Sequence, residues 1–256
     1  MDISTRILFK NFAITWLNGQ IEPKFTSTSL FPKLTPELIK ELKIENGIEA
    51  SMSSFLLEAE GKKALFDTGY NRTISTGITD RLKELRISPD EIDYIFITHF
   101  HRDHIGGLVD EKDEIYYKNA KIYVSKEEYD GWINKMPKEK SELQRNIMKI
   151  VEKQLIIFEF SDKLPLGVEP LKSFGHTPGH TVYRKEDIIF VGDLIHGQDV
   201  QINHPEICPT YDIDEEKSIE SRKAIIDYAR INKLIIAGCH LKYSNHSLYR
   251  DFYDNK

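Results

Sequence analysis

Residues 98–107 read THFHRDHIGG, and this stretch decides how the rest of the chain is read. Three of the nine histidines and an aspartate (His99, His101, Asp103 and His104) fall within six residues. They follow YIFIT, a nearly all-apolar run of the kind that forms a buried strand. Histidines two apart on extended backbone point the same way. Imidazole and carboxylate together suit zinc, and equally manganese, iron or cobalt. A single histidine pair would be weak, since histidines at such places are often hydrogen-bonded structural residues. Four potential ligands at this spacing are much harder to read as structural.

The bulk numbers bound the rest. A chain of 256 residues with 40% hydrophobic residues can bury a substantial core, and it reads as one domain over 1–256. Residues 1–50 are the segment least clearly placed. Two cysteines, Cys208 and Cys239, imply no disulfide framework. The formal charge of -6 argues against a nucleic-acid binder, so no nucleic-acid partner is expected. No run approaches the roughly 18 apolar residues of a membrane span, and the start makes a poor signal peptide. A cytoplasmic protein with no membrane partner is the expectation.

Along the chain, FAIT (12–15) reads as a strand, LTPELIKELK (34–43) as a short helix with Pro36 in its first turn, and residues 18–33 as loop. The segment 54–69 reads as a hairpin around Gly61, and 78–87 as a helix with an apolar stripe. A strand at 120–124 precedes Ser125 and Glu128 at capping-box spacing, with a helix through Tyr129 and Trp132 and another over 139–152. LIIFEF, EPLKSFG, HTVYRK, DIIFVGD and KLIIAG read as strands, and 214–230 as a helix. Strands and helices recur in both halves, which is an α/β pattern.

Four ligands do not close two coordination shells, and the sequence offers more. GHTPGHT carries His176 and His180, VGD ends a strand at Asp193, and AGCH ends another at His240. Chemistry alone does not choose between His176 and His180. Asp67 of FDTG suits a carboxylate accepting the second N–H of a ligating imidazole, or an Asx-type turn. Gly106 and Gly107 would permit tight backbone, and no GK[ST] follows them to make a phosphate loop. Cys239 reads as a small buried hydrophobe beside His240.

With HFHRDH, GHTPGHT, VGD, AGCH and the upstream FDTG, the chain resembles the metallo-beta-lactamase superfamily over roughly residues 54–240. The resemblance implies an α/β fold, an αββα sandwich of metallo-beta-lactamase type, with metals at the sheet edges. It implies His99, His101 and His180 at one metal, Asp103, His104 and His240 at a second, and Asp193 bridging them. Asp67 becomes a support for a ligand imidazole, and His176 a neighbour of the ligands. The cofactors so implied are two divalent metal ions, Zn2+ favoured, with Mn2+, Fe2+ or Co2+ fitting the same donors.

Such a centre implies a hydrolase that uses a metal-bridging hydroxide, with Asp103 as a proton shuttle as well as a ligand. No G-x-S-x-G offers a competing serine nucleophile. The segment GDLIHGQDVQINHPEICPTYDID and the later AGCHLKYS look like the methyl parathion hydrolase-like branch. Acyl-homoserine lactonases commonly place a tyrosine three residues after the bridging aspartate, where this chain has His196. His196 is read as a pocket residue or a hydrogen-bonded loop histidine, and Phe100 and Leu241 as pocket walls or packing. The expected substrate is a small ester, lactone or phosphotriester. The alternatives are a thioester or beta-lactam hydrolase, and a non-catalytic metal-dependent binding or sensory protein.

Overall fold

The computed structural model describes residues 4–20, 22–70 and 77–250. Residue 21, inside the expected loop 18–33, lies outside them. The chain divides into two compact units: residues 1–21 with 52–168, and residues 22–51 with 169–256.

The first unit is built on a seven-stranded sheet, in the order Ser4–Leu8, Phe12–Asn18, Ser53–Ala59, Lys62–Phe66, Tyr94–Phe96, Lys121–Ser125 and Leu155–Phe158. Its first four strands run antiparallel, and the expected hairpin turns at Glu60 and Gly61, both at positive φ. The last four run parallel, so their carboxyl ends share one edge. Parallel strands are covered on both faces, which is why YIFIT is apolar at nearly every position. Ile95 and Phe96 are fully buried there. The expected helices are present as Gly77–Glu84, Lys126–Tyr129 continuing as a π-turn through Trp132, and Glu142–Ile150. Their apolar sides join the strands in one core that includes Leu82, Ile95, Ile122, Trp132 and Ile147.

The second unit has a five-stranded sheet in the order Glu169–Lys172, Thr181–Lys185, Ile188–Phe190, Ile235–Ala237 and Leu248–Tyr249. The helix Glu215–Ile231 buries Ile225, Ile226 and Ala229 in a core shared with Ile189, Val191 and Ile236. Asp214 caps it by accepting the N–H of Lys217. Residues 22–51 belong to this unit and are more ordered than the loop reading: Lys24–Thr26 pairs with Ile48–Ala50. Phe31 is buried there with Ile44, Ile48, Val200 and Ile207. The helix Pro36–Glu41 starts where Thr35 accepts the N–H of Leu38 and Pro36 takes the first position. Among the described residues, no helix is long and apolar enough to cross a membrane.

The glycine pair of the opening stretch is explained in part. An added Cβ on Gly107 would lie 2.2 Å from the Thr68 carbonyl oxygen, while its N–H donates to the Gly69 carbonyl at 2.9 Å. The backbones of 67–69 and 104–107 touch, and only glycine allows it. Gly107→Ala is expected to destabilise the protein by about 1–3 kcal/mol, read as a lower urea midpoint. An unchanged midpoint would contradict the close approach.

Candidate functional site

In the first unit the cluster sits just beyond the Tyr94–Phe96 strand. Asp67, at the end of the adjacent strand Lys62–Phe66, is the anchor. It accepts the Thr98 N–H at 2.8 Å and the Thr98 hydroxyl at 2.7 Å, and its Oδ2 lies 2.7 Å from His104 Nδ1. Its backbone takes a left-handed turn, φ 59°, which asparagine and aspartate tolerate better than most residues. Thr98 Oγ1, having given its proton to Asp67, lies 3.0 Å from His99 Nδ1 and accepts from it. The Nδ1 of His99 and of His104 is therefore the donor nitrogen, and each Nε2 carries the lone pair a metal would use. Asp103 Oδ2 is 3.6 Å from His104 Nε2, and the His99 and His101 rings meet edge-on at 4.6 Å.

The loop is clamped from behind by residues to which sequence reading assigned no such role. Glu128 accepts the Phe100 N–H at 2.7 Å and the Trp132 Nε1–H at 2.8 Å, while Gln144 donates to the Phe100 carbonyl at 3.0 Å. Ser125 accepts the Glu128 N–H, which is the first half of the expected capping box. Phe100 is fully buried in the core of this unit, and Leu241 in that of the second, so both are packing residues rather than pocket walls.

In the second unit the edge reached by the ends of Ile188–Phe190 and Ile235–Ala237 also receives the start of Thr181–Lys185. Asp193, His240 and His180 follow or precede those strands, and all three are buried. The Asp193 carboxylate is faced by three imidazole nitrogens. His240 Nε2 is 3.2 Å from Oδ1, and His196 Nε2 and His176 Nε2 are 3.1 and 3.4 Å from Oδ2. His180 Nε2 receives the Asp193 N–H at 3.2 Å. His240 Nδ1 lies 3.0 Å from the Ser51 carbonyl and donates to it. Its Nε2 then offers a lone pair toward a carboxylate oxygen that has only lone pairs, and such a pair needs a proton or a cation between its atoms. Asp193 and His240 thus offer donors that fit a divalent metal, while the His180 Nε2 lone pair is taken here by the Asp193 N–H. Cys239 is buried, and its Sγ lies within 4.8 Å of donor atoms of Asp193 and His240, so the thiol stands among the candidate donors as well as in the packing.

Behind this edge lies a buried charge cluster that sequence reading missed. His176 Nδ1 is 2.9 Å from Asp212 Oδ1, and Asp212 Oδ2 is 2.8 Å from Arg222 Nη2. Burial depresses the basicity of His176, but Asp193 and Asp212 outweigh it and hold the imidazole above its ordinary value. Burial alone would raise Asp212, yet His176, Arg222 and His196 hold it well below the usual carboxylate range. His196, also buried, is pushed down to about 4 despite Asp193. Burial also pushes the Cys208 thiol up to about 11, against the pull of Arg222. Asp212 lies in the TYDID end of the segment that resembles the methyl parathion hydrolase-like branch, but nothing in the sequence marked it or Arg222 individually.

The Metallo-beta-lactamase superfamily model matches residues 50–240. The exodeoxyribonuclease WalJ of Streptococcus pneumoniae (strain D39) is 29% identical over 147 residues, covering 56% of this chain and 49% of that protein. A probable metallo-hydrolase of Methanocaldococcus jannaschii is 29% identical over 157 residues, 61% of each chain. The chain thus spans about half the length of the first of these curated relatives. Among solved structures, the hydrolase AbOPH in the beta lactamase superfamily is 26% identical with a TM-score of 0.83, over 98% of this chain and 93% of that one. The dizinc quorum-quenching lactonase AidC is 24% identical with a TM-score of 0.85, over 97% and 94%, which shows a shared fold.

Asp67 is the most heavily used side chain of the first unit's cluster. Asp67→Ala would leave the buried Thr98 N–H and the His104 Nδ1–H without their acceptor. Losing such partners costs about 1–3 kcal/mol per buried group. Chemical denaturation should show a loss in that range or above it, and a wild-type midpoint would rule out the anchoring role.

Proposed function

The chain belongs to the metallo-beta-lactamase superfamily and has its α/β fold, and from that footing we propose that it is a dinuclear metal-dependent hydrolase of a small ester, lactone or phosphotriester. The ligands are His99, His101 and His180 for one metal, Asp103, His104 and His240 for the other, and Asp193 shared. The observation that carries the proposal is the Asp193 carboxylate with imidazole nitrogens on both oxygens, His240 Nε2 at 3.2 Å and His196 Nε2 at 3.1 Å. The fixed Nδ1 donors of His99, His104 and His240 support it as well, because each leaves Nε2 for a metal. Bound there, divalent metals would supply Lewis acidity, making water acidic enough to be deprotonated near neutral pH and polarising a carbonyl or phosphoryl oxygen.

The chain's own groups do the rest. Asp67 and the Ser51 carbonyl keep their imidazoles in one tautomer and one orientation, so no reorganisation is needed when substrate arrives. Asp103 takes the proton released as water adds to the electrophile and returns it to the leaving oxygen. On the second unit, Tyr211 is half-exposed with its ring 5.6 Å from that of His196. It offers an apolar face beside the Asp193 group, which suits a small, mostly neutral substrate. The similarity in fold to the lactonase AidC supports a lactone among these substrates.

Cleavage of a phosphodiester in nucleic acid is the second reading, favoured by the similarity to an exodeoxyribonuclease. The net charge of -6 weighs against it. A panel of chromogenic lactones, aryl esters, phosphotriesters, thioesters and beta-lactams, with a labelled oligonucleotide, separates the classes. Metal-dependent turnover of the first three is expected, and turnover confined to thioesters, beta-lactams or the oligonucleotide would overturn the substrate order. Asp193→Ala should lower turnover by more than about 100-fold while the circular dichroism spectrum is kept. Asp103→Asn, at normal metal content, should lower kcat by about 100-fold or more with a smaller change in KM. Unchanged kcat in that variant would remove Asp103 from the shuttle role.

A further inference from the structure

The cluster behind Asp193 closes into a ring. Arg222 projects inward from the helix Glu215–Ile231 and is 1% exposed. Its Nη2 meets Asp212 Oδ2 at 2.8 Å, Asp212 Oδ1 meets His176 Nδ1 at 2.9 Å, and His176 Nε2 faces Asp193 Oδ2 at 3.4 Å. The return path is backbone: Arg222 Nε donates to the Leu194 carbonyl at 2.7 Å, one residue beyond Asp193. A further guanidinium nitrogen, Nη1, donates to the Pro205 carbonyl at 2.8 Å. One buried side chain therefore reaches both the backbone beside Asp193 and, through two others, its carboxylate.

The backbone is built to keep the ring shut. The Asp214 N–H donates to the Gly175 carbonyl at 2.9 Å and the Ile213 N–H to the His176 carbonyl at 3.2 Å, which lays the Asp212 segment against the His176 turn. Gly175 stands at φ 127°, and a Cβ there would lie 2.1 Å from the Ser218 N. No side chain could occupy that position without parting the His176 turn from the first turn of the helix Glu215–Ile231.

Stability does not explain such a ring. Taking a guanidinium and a carboxylate out of water costs several kcal/mol per ion, and well-packed apolar residues of similar volume are often as stable or more so. The two Asp212 oxygens meet His176 and Arg222, so Asp212 reaches the Asp193 carboxylate through His176. What the ring does fix is the orientation of one carboxylate, whose two oxygens must each meet its own partner.

We propose that Arg222, Asp212 and His176 are positioning residues that hold the Asp193 carboxylate in its metal-binding orientation. The inference rests on the reading of Asp193 as a metal ligand. Outer partners of this kind typically contribute 10–100-fold to metal affinity. Arg222 is suited to the task because its planar fork reaches Asp212 and the Leu194 carbonyl together, which a lysine cannot do.

The test is zinc affinity of the chelator-stripped protein, measured by competition with a chromogenic chelator, with circular dichroism and thermal melting to define the folded fraction. Four proteins are compared: wild type, Asp193→Ala, Asp212→Asn and Arg222→Lys. Zinc binding to at least one site should weaken by about 10–100-fold in Asp212→Asn and in Arg222→Lys, with the fold kept. A purely structural role would lower the melting temperature and leave zinc affinity of the folded protein unchanged, and that result overturns the proposal. If Asp212→Asn does not fold, Arg222→Lys decides, since it preserves the buried charge and removes only the fork. Unaltered zinc affinity in Asp193→Ala would instead defeat the ligand reading on which the inference stands. Weakened binding there, with wild-type binding in both other variants, defeats the ring alone.

Discussion

A buried carboxylate faced by three imidazole nitrogens is the constraint on which the second unit is organised. Asp193 has His240 at one oxygen and His196 and His176 at the other. Lone pairs at such distances repel unless a proton or a cation lies between them. Each neighbour is accordingly committed elsewhere: His240 to the Ser51 carbonyl, His176 to Asp212, and the His196 backbone N–H to Gln201 at 2.7 Å. The Ser51 and Asp212 contacts fix which nitrogen of His240 and of His176 faces Asp193.

The first unit solves the same problem with a carboxylate that is a support rather than a ligand. Asp67 sits at the end of one parallel strand and receives Thr98 and His104 from the end of the next. In both units the chemistry lies beyond apolar strands whose burial fixes where their ends fall. The strands carry the free energy of folding, and the loops beyond them carry the polar groups. The close approach at Gly107 and the left-handed turn at Asp67 are the local costs of packing so many polar atoms at a strand edge.

The parts legible in the sequence were those with strong periodicity or dense chemistry. YIFIT, the hairpin about Gly61 and the helix ending in YAR were readable because burial, turn chemistry and capping agree there. HFHRDH stood out because four potential ligands crowd six residues. What stayed hidden has no local signature. The Ser4–Leu8 strand has its apolar residues side by side at Ile7 and Leu8, so no sequence alternation marks it, and it is defined by its pairing with Phe12–Asn18. Lys24–Thr26 and Ile48–Ala50 pair across a gap too wide for a hairpin signal. Ser51 serves His240 through its backbone carbonyl, an atom every residue has. Arg222 and Asp212 are ordinary surface residue types whose burial depends on tertiary packing, and Glu128 looked like a helix-capping residue before its carboxylate was seen on Phe100 N–H and Trp132.

The central proposal is that hydrolysis depends on metal held by the proposed ligands His99, His101, Asp103, His104, His180, Asp193 and His240. The most direct test strips the protein with a chelator, returns Zn2+ in steps, and follows bound metal by elemental analysis alongside turnover of a lactone or aryl ester. The account predicts no turnover in the stripped protein and recovery that saturates as about two equivalents of metal bind. Full turnover without metal, or saturation with no metal bound, would contradict it.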